Sequence, residues 1–349
     1  MSERARGARR EAGGKWAAVR LVPRAYCLVR DQRGVSMIEL LVGITVATTV
    51  IAAGYGIMSS TDRAATVNDQ TAGMQQNVRV AMELLTRDIK LAGFGMGTGV
   101  GACTNAIVPA DQNTGGADTG PDSVSVVVPT PLSTLAAQAS GGALSITLQA
   151  GAAAAMTPEG FGNGAGISLG GVNASTVNNI AGDVLTLGSS LGQSSSFPSG
   201  TQVFWLRCIT YSVSTNAVTC AGTAPCLLRG GVPMAEGIED LQLAYACDGC
   251  AGVADGVIDD QNASGTFDTG DFVSDNAWNS GSMIPSNIRL VRISIVARQV
   301  RSDPQWSSTA AVVAEDHNPA TDPGFNQSTY QQIRRRLYTK TVQVRNLGL

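Results

Sequence analysis

The sequence is poor in charged and aromatic residues and contains a single histidine. Charged side chains make up 15% of the 349 residues and aromatic side chains 5%, whereas glycine is abundant at 41 residues. This composition suits a loop-rich β domain better than a helical bundle. The lone His317 excludes sites built from paired histidines, and its turn-rich segment EDHNPATDPG predicts a surface position. No Ser-His-Asp order or phosphate-binding glycine loop is present, so we expect no enzyme, and a membrane-anchored periplasmic enzyme is disfavoured.

Charge is distributed unevenly along the chain. Residues 1–34 contain nine Lys or Arg and three acids, and the whole chain has a net charge of −3, so the remainder carries −9. Because basic residues collect on the cytoplasmic side of an inserted helix, everything after residue 58 is expected outside the cytoplasm. The acidic exterior argues against nucleic acid as a partner.

One long apolar run, VSMIELLVGITVATTVIAAGYGIM at residues 35–58, carries a single charge, Glu39. A helix of this length spans about 36 Å, which is enough to cross a hydrocarbon core of about 30 Å. A carboxylate at membrane depth is costly, so Glu39 indicates a functional site. Gly34 lies before the run and directly after the basic region, whereas a secretory signal has its small-residue cleavage site after a shorter apolar core.

This order of residues resembles the class III signal of type IV prepilins and pseudopilins. The resemblance implies that a prepilin peptidase cuts after Gly34, that Val35 becomes the N-methylated first residue in place of the usual phenylalanine, and that Glu39 becomes the fifth. The new amine, in the same subunit or in a filament neighbour, would then neutralise the carboxylate. A plain signal anchor with a stray acid is the alternative.

Apolar residues continue at helical spacing beyond the membrane run and predict an amphipathic helix over 59–93. The apolar stripe consists of Val67, Met74, Val78, Met82, Leu85 and Ile89. Gly93 is typical of a position just past a helix end. The simplest interpretation is structural: this stripe packs against the sheet of the head.

Four blocks of sequence resemble the PilW family of minor type IV pilins. They are NVRVAMELLTRDIKLAGFGMG (77–97), GIEDLQLAYACDG (237–249), IRLVRISIVARQV (288–300) and RRRLYTKTVQVRNLGL (334–349). The carboxy-terminal blocks favour PilW over the J-type pseudopilin of type II secretion. Between residues 101 and 200 the resemblance is weak.

Alternating and β-branched residues predict strands in the head. The candidate strands are 123–128, 144–148, 183–187, 202–213, 241–246, 288–297 and 337–344. We therefore expect an α+β, type IV pilin-like fold, in which a long N-terminal helix, half in the membrane and half amphipathic, packs on an elaborated antiparallel β-sheet head. The expected parts are a basic leader at 1–34, a transmembrane helix at 35–58, a periplasmic helix at 59–93 and the head at 94–349.

Cleavage after Gly34 would remove Cys27, one of seven cysteines, and leave six in a compartment that permits disulfides. Six cysteines allow 15 pairings, and the sequence cannot choose among them. The preferred pairs are Cys103–Cys208, Cys220–Cys226 and Cys247–Cys250. A redox or zinc site at the Cys-x-x-Cys of residues 247–250 is the competing interpretation.

The segment DQNASGTFDTGD, residues 260–271, has the spacing of a calcium loop. Gly265 takes the position of the tight turn and Phe267 the apolar position. Oxygen ligands are expected from Asp260, Asn262, Ser264, Thr266, Asp268 and Asp271. Asp255 and Asp259 are alternative ligands, and a solvated acidic insertion between strands is the alternative to a calcium site.

The resemblance implies a minor pilin that takes part in pilus assembly or priming, and hence in twitching motility and cell adhesion. It would be a single-pass protein of the Gram-negative inner membrane with a periplasmic head, and would later enter the extracellular pilus. The expected partners are other minor and major pilins, the prepilin peptidase and the inner-membrane assembly platform. A type II secretion pseudopilin and a calcium-dependent tip adhesin remain alternatives.

Overall fold

The computed structural model describes residues 34–97, 99–110, 118–193, 196–274, 278, 283–308 and 310–347. It divides into two units, Met1–Asp62 and Arg63–Leu349. One helix, α1 (Met37–Leu91), contributes residues to both units. Apart from Gly34, the expected leader lies outside the described residues.

The described part of the first unit is the beginning of α1. Its apolar window has a mean hydropathy of 1.9 and is 0% buried, which makes α1 a candidate membrane span by length and composition. The hydroxyls within the run donate to backbone carbonyls of the preceding turn, as Thr48 does to Ile44 at 2.9 Å and Thr49 to Thr45 at 2.7 Å. These bonds satisfy polar groups that a hydrocarbon environment would leave unpaired.

In the second unit α1 buries one face. The buried residues are Met74, Val78, Ala81, Met82, Leu85, Thr86, Asp88 and Ile89, which recur at helical spacing. The helix ends at Leu91, and Gly93 follows with a φ of +80°, a conformation that favours glycine. The Gly93 N–H donates to the Val127 carbonyl at 3.2 Å, so the chain leaves the helix directly onto a strand.

The larger sheet of the second unit has nine antiparallel strands. They are β1 (Ile107–Ala110), β2 (Ser123–Thr134), β3 (Ser145–Thr147), β4 (Gly166–Leu169), β5 (Asn173–Ala181), β6 (Val184–Leu187), β7 (Gln202–Ser214), β8 (Cys226–Arg229) and β9 (Val232–Glu236). The order is β1-β2-β7-β4-β5-β6-β3, with β8 paired to β7 and β9 to β8. A short helix, α2 (Ala152–Met156), follows β3.

The smaller sheet is formed by β10 (Ile238–Cys247), β11 (Ile288–Arg298) and β12 (Arg335–Gln343), which are antiparallel in that order. The helix α3 (Gln327–Tyr330) precedes β12. Single 3₁₀ turns lie at Thr157–Glu159, Thr269–Asp271, Pro285–Asn287 and Pro319–Thr321. A long helix followed by antiparallel sheet confirms the predicted α+β, pilin-like fold.

The head contains two main hydrophobic cores. In the first, the buried face of α1 packs with residues of both sheets, among them Tyr211, Leu227, Leu243 and Ile293. The second core is built by the glycine- and alanine-rich middle region, with Leu135, Phe161, Leu185 and Trp205 among its members. The region in which the family resemblance is weak therefore has a core largely of its own.

A buried carboxylate connects α1 to the larger sheet. Asp88 is 0% exposed and accepts hydrogen bonds from the Tyr211 hydroxyl at 2.7 Å and from Arg229 Nε at 2.7 Å. Arg87 Nε donates to its other oxygen at 3.1 Å. Burial and the bond to Asp88 raise the pKa of Tyr211, so the hydroxyl stays a donor at every ordinary pH.

Three disulfides connect segments of the head. The structure joins Cys103 to Cys208, Cys220 to Cys226 and Cys247 to Cys250, which are the three pairs preferred from the sequence. The first connects the loop after α1 to β7 across 105 residues. Since closing a long loop restricts the unfolded chain most, we expect this disulfide to stabilise the head more than the other two.

We predict that Asp88→Ala lowers the free energy of unfolding of the head by about 3–5 kcal/mol, because Arg229 would be left without its buried partner. Urea denaturation of a fragment spanning Arg63–Leu349 measures the change. Asp69→Ala, which removes an exposed acid from the same helix, is the matched control and should change the free energy by less than about 0.5 kcal/mol. Equal losses in the two variants would contradict a special role for Asp88.

Candidate functional site

The residues predicted for processing and assembly lie at the start of the described chain. Gly34, Val35 and Ser36 precede α1, and Glu39 is the acid of its first turn, where the helix dipole favours a negative charge. Val35 is 71% exposed. A peptidase could therefore reach the bond between Gly34 and Val35, and the new amine would arise one helical turn from the Glu39 carboxylate.

The acidic segment of residues 260–271 lies between β10 and β11 and is closed by its own carboxylates. Asp260 accepts from the backbone N–H groups of Ser264 at 3.0 Å and Gly265 at 2.6 Å. Gly265 has a φ of +91°, as the sharp turn at the sixth position of a calcium loop requires. The turn expected from the sequence is therefore present, and the Asp260 carboxylate closes it.

The second half of this segment ends in the 3₁₀ turn of Thr269–Asp271. Asp268 caps the turn by accepting from the Gly270 N–H at 2.7 Å, and the Asp271 side chain accepts from the Asp268 N–H at 2.5 Å. The hydrogen bond from Asp268 and those from other backbone N–H groups of the loop hold the pKa of Asp271 below its usual range. Asp271 is therefore ionised at neutral pH, as a cation ligand must be.

The remaining candidate ligands lie close to these acids. Asn262 Nδ2 is 2.9 Å from Asp268 Oδ1, and Ser264 Oγ donates to the Thr266 carbonyl at 2.8 Å. All six candidate oxygen donors thus belong to one hydrogen-bonded loop. Five are side-chain groups and one is a backbone carbonyl, the donor set that calcium prefers.

The alternative ligands serve a neighbouring turn instead. Asp259 Oδ2 accepts from the backbone N–H groups of Gly249, Cys250 and Ala251 at 2.9, 2.6 and 3.0 Å. The sulfur atoms of Cys247 and Cys250 lie near this carboxylate but are joined in a disulfide, so they offer no thiolate to zinc. Asp255 is exposed and accepts from the Val257 N–H at 2.9 Å.

His317 is buried rather than exposed, so the predicted surface position is wrong. It is 3% exposed, and its ring nitrogens lie 2.7 Å from Asp240 Oδ2 and 3.0 Å from Asp322 Oδ1. Burial alone would lower its pKa, but the hydrogen bonds and charges of Asp240 and Asp322 outweigh this and raise it to about 9. The sequence carried one signal of this: the only histidine is surrounded by acids.

A further acid lies close to this histidine. Asp118 is 4% exposed, and neither of its carboxylate oxygens has a hydrogen-bond partner in the part of the chain that the structure describes. Burial raises the pKa of Asp118, an effect only partly offset by the charge of His317. These groups form an ion cluster that fastens the segment between β11 and β12 to β10, and His317, Asp240 and Asp322 also line a cavity of about 300 Å³.

The protonated His317 should make the head most stable at neutral and mildly acidic pH. Its pKa is higher in the folded state than the ordinary 6.5, so its stabilisation is fully present below pH 6.5 and is lost as the pH rises through about 9. At about 1.4 kcal/mol per unit of pKa, the loss amounts to roughly 3 kcal/mol. Thermal denaturation of the Arg63–Leu349 fragment between pH 6 and 10 measures it.

Two variants separate His317 from other groups that titrate in this range. His317→Gln should lower the melting temperature at pH 6 and flatten its pH dependence. Asp322→Asn leaves the bond to Asp240 and should shift the loss to lower pH. A pH dependence in His317→Gln as steep as that of the original protein would contradict the assignment.

Comparison with known proteins finds a family match in the carboxy-terminal part of the chain. Residues 210–346 match the family model PilW, described as type IV pilus-assembly protein W. The matched span includes the last five residues of β7, the acidic loop, His317 and the whole smaller sheet. No curated protein matches the chain. The resemblance found in the sequence is therefore confirmed over this span, where residues 210–346 are similar to the PilW family of type IV pilus-assembly proteins.

Proposed function

We propose that the chain is a minor pilin of the type IV pilus, held in the inner membrane by the beginning of α1 and processed after Gly34. One observation carries the proposal: α1 begins three residues after Gly34 with an apolar run that has no buried surface, and it continues into a head whose second half matches PilW. The PilW match favours pilus assembly over a type II secretion pseudopilin. The proposed role is structural and requires no catalytic group.

The exposed apolar helix explains how such a protein could pass from the membrane into a filament. In the membrane its side chains contact lipid, and in a filament they would contact the helices of neighbouring subunits. Both environments are apolar, so the transfer costs little for the aliphatic residues. The exception is Glu39, which in either place needs a positive partner, and the Val35 amine created by cleavage is of the right charge.

We further propose that the loop at residues 260–271 binds calcium. Asp260, Asp268 and Asp271 would supply carboxylate oxygens, Asn262 and Ser264 side-chain oxygens, and Thr266 its carbonyl. The cation would offset the repulsion between acids that the loop now manages with backbone N–H donors. A rigid loop of this kind on the head could contact a neighbouring pilin, or a surface in the case of a tip adhesin.

We predict that Glu39→Val leaves the protein inserted and cleaved but reduces its incorporation into pili. Removing the acid eases residence in the membrane, so a loss can only come from the missing ion pair. The measurement is the amount of the variant in sheared pili relative to that in membranes. Thr49→Val, which also adds a methyl group to α1, is the matched control and should incorporate normally.

The same experiment tests processing. Gly34→Val should leave the leader attached, which mass spectrometry of the amino terminus detects, and should exclude the protein from pili. Recovery of Glu39→Val in sheared pili at the level of the original protein would show that charge matching is unnecessary. A protein whose leader is retained in the presence of active prepilin peptidase would instead be a plain signal anchor.

We predict that calcium raises the melting temperature of the Arg63–Leu349 fragment by several degrees, because a ligand that binds only the folded state stabilises it by about 2.7 kcal/mol at a hundredfold excess over Kd. Magnesium should do less, since it demands tighter octahedral geometry. Asp260→Asn combined with Asp268→Asn keeps the hydrogen-bond acceptors and should abolish the calcium effect. Asp255→Asn, an exposed acid nearby, is the control. Identical melting in millimolar calcium and in chelator would leave the loop as solvated surface.

A further inference from the structure

A cationic and aromatic surface includes the part of α1 that follows the apolar run by a few residues. It consists of Arg63 on α1, of Arg301, Pro304 and Trp306 in the loop after β11, and of Arg334 just before β12. We call it the helix-proximal patch. A cleft of about 330 Å³ opens beside it between α1 and residues 302–305. The cleft is lined by polar residues, among them Thr66, Gln70 and Gln305, and by the apolar Val67 and Pro304.

One buried acid holds the patch together. Asp303 is 8% exposed and accepts from Arg63 at 2.9 and 3.1 Å and from Arg334 at 3.2 Å. The Trp306 N–H donates to the Asp303 carbonyl at 2.8 Å, and the Arg334 guanidinium lies 3.8 Å from the centre of the Trp306 ring. The two arginines and the indole are therefore fixed in place before any partner arrives.

The outer side of the patch faces solvent. Trp306 is 36% exposed and the adjoining Val300 is 59% exposed, whereas Trp205 and Trp278 are buried in the head. Arg301 is exposed and forms no ion pair within the described part of the chain. Three arginines against the single Asp303 make the patch positive on a chain that carries −9 beyond residue 34.

Covalent geometry keeps this patch close to the membrane that holds α1. Arg63 follows Met58, the last residue of the apolar run, by five residues. Even a fully extended chain of that length spans only about 18 Å. Only one acid, Asp62, lies between them. Because Arg63 binds Asp303 directly, lipid headgroups at the end of the apolar run would lie within reach of the patch.

We propose that the helix-proximal patch binds the headgroups of anionic phospholipids in the membrane that anchors the protein. Tryptophan favours the membrane–water interface, where its ring can lie among headgroups, and arginine side chains attract anionic lipid. The rest of the acidic head is repelled by the same surface. The inference rests on the proposed membrane anchoring, and its consequence is that the head is held in one orientation until the subunit enters the filament.

The test uses the mature full-length chain in nanodiscs of phosphatidylcholine, with and without phosphatidylglycerol, containing a lipid with a nitroxide-labelled headgroup as quencher. Of its three tryptophans, only Trp306 is exposed. With phosphatidylglycerol present, the nitroxide should quench the tryptophan fluorescence by up to the fraction that comes from Trp306. Without phosphatidylglycerol the quenching should be weaker. Trp306→Phe should abolish the quenching.

Charge variants test the anionic lipid requirement. Arg301→Gln should reduce the quenching, whereas Lys340→Gln, which removes an exposed cation from β12, should leave it unchanged. Equal quenching with and without phosphatidylglycerol, or emission from Trp306 that stays unquenched, would overturn the proposal; the second result would fit a patch that instead contacts a neighbouring pilin. Flotation with lipid distinguishes a failure of this proposal from a failure of the proposed membrane anchoring. A chain that does not float with lipid refutes the anchoring itself.

Discussion

The structure of the head depends on one buried ion pair between the helix and the larger sheet. Asp88 has no exposed surface, and Tyr211 and Arg229 both donate to it from neighbouring strands. Apolar packing alone would allow α1 to slide or rotate on the sheet by small steps. A buried carboxylate allows one position only, because any other leaves charges unpaired in a medium of low dielectric constant. The ion pair therefore fixes the register in which α1 meets the larger sheet of the head.

The distribution of apolar residues on α1 changes along its length, so its two halves suit different surroundings. Up to residue 58 the helix is apolar on all sides, and its hydroxyls bond to its own backbone, which suits lipid or a bundle of similar helices. From Met74 onward only one face is apolar, because the other faces water. The helix-proximal patch lies close to the transition between these two regions. A surface that contains tryptophan and arginine is the kind that protein–lipid boundaries favour.

Charge within the head is used mainly to fasten loops. Asp259, Asp260 and Asp271 each accept two or more backbone N–H bonds, His317 joins two acids on separate segments, and Glu315 pairs with Arg292 while also accepting from Ser294. These contacts order long connections that contain little regular structure. Such loops can differ between related proteins while the helix and sheets stay the same.

The sequence by itself determined the long helix, the antiparallel character of the head and seven of its strands, because periodicity and β-branched residues act locally. It also located every candidate ligand of the acidic loop, since these residues follow one another within twelve positions. Only the tertiary structure decided that Asp88 meets Arg229, that His317 is buried between Asp240 and Asp322, and that the middle region has its own core. The strands β1, β4, β5, β8 and β9 were not predicted. Each is short or poor in alternating apolar residues, and β4 with β5 and β8 with β9 are recognised only by their pairing in the structure.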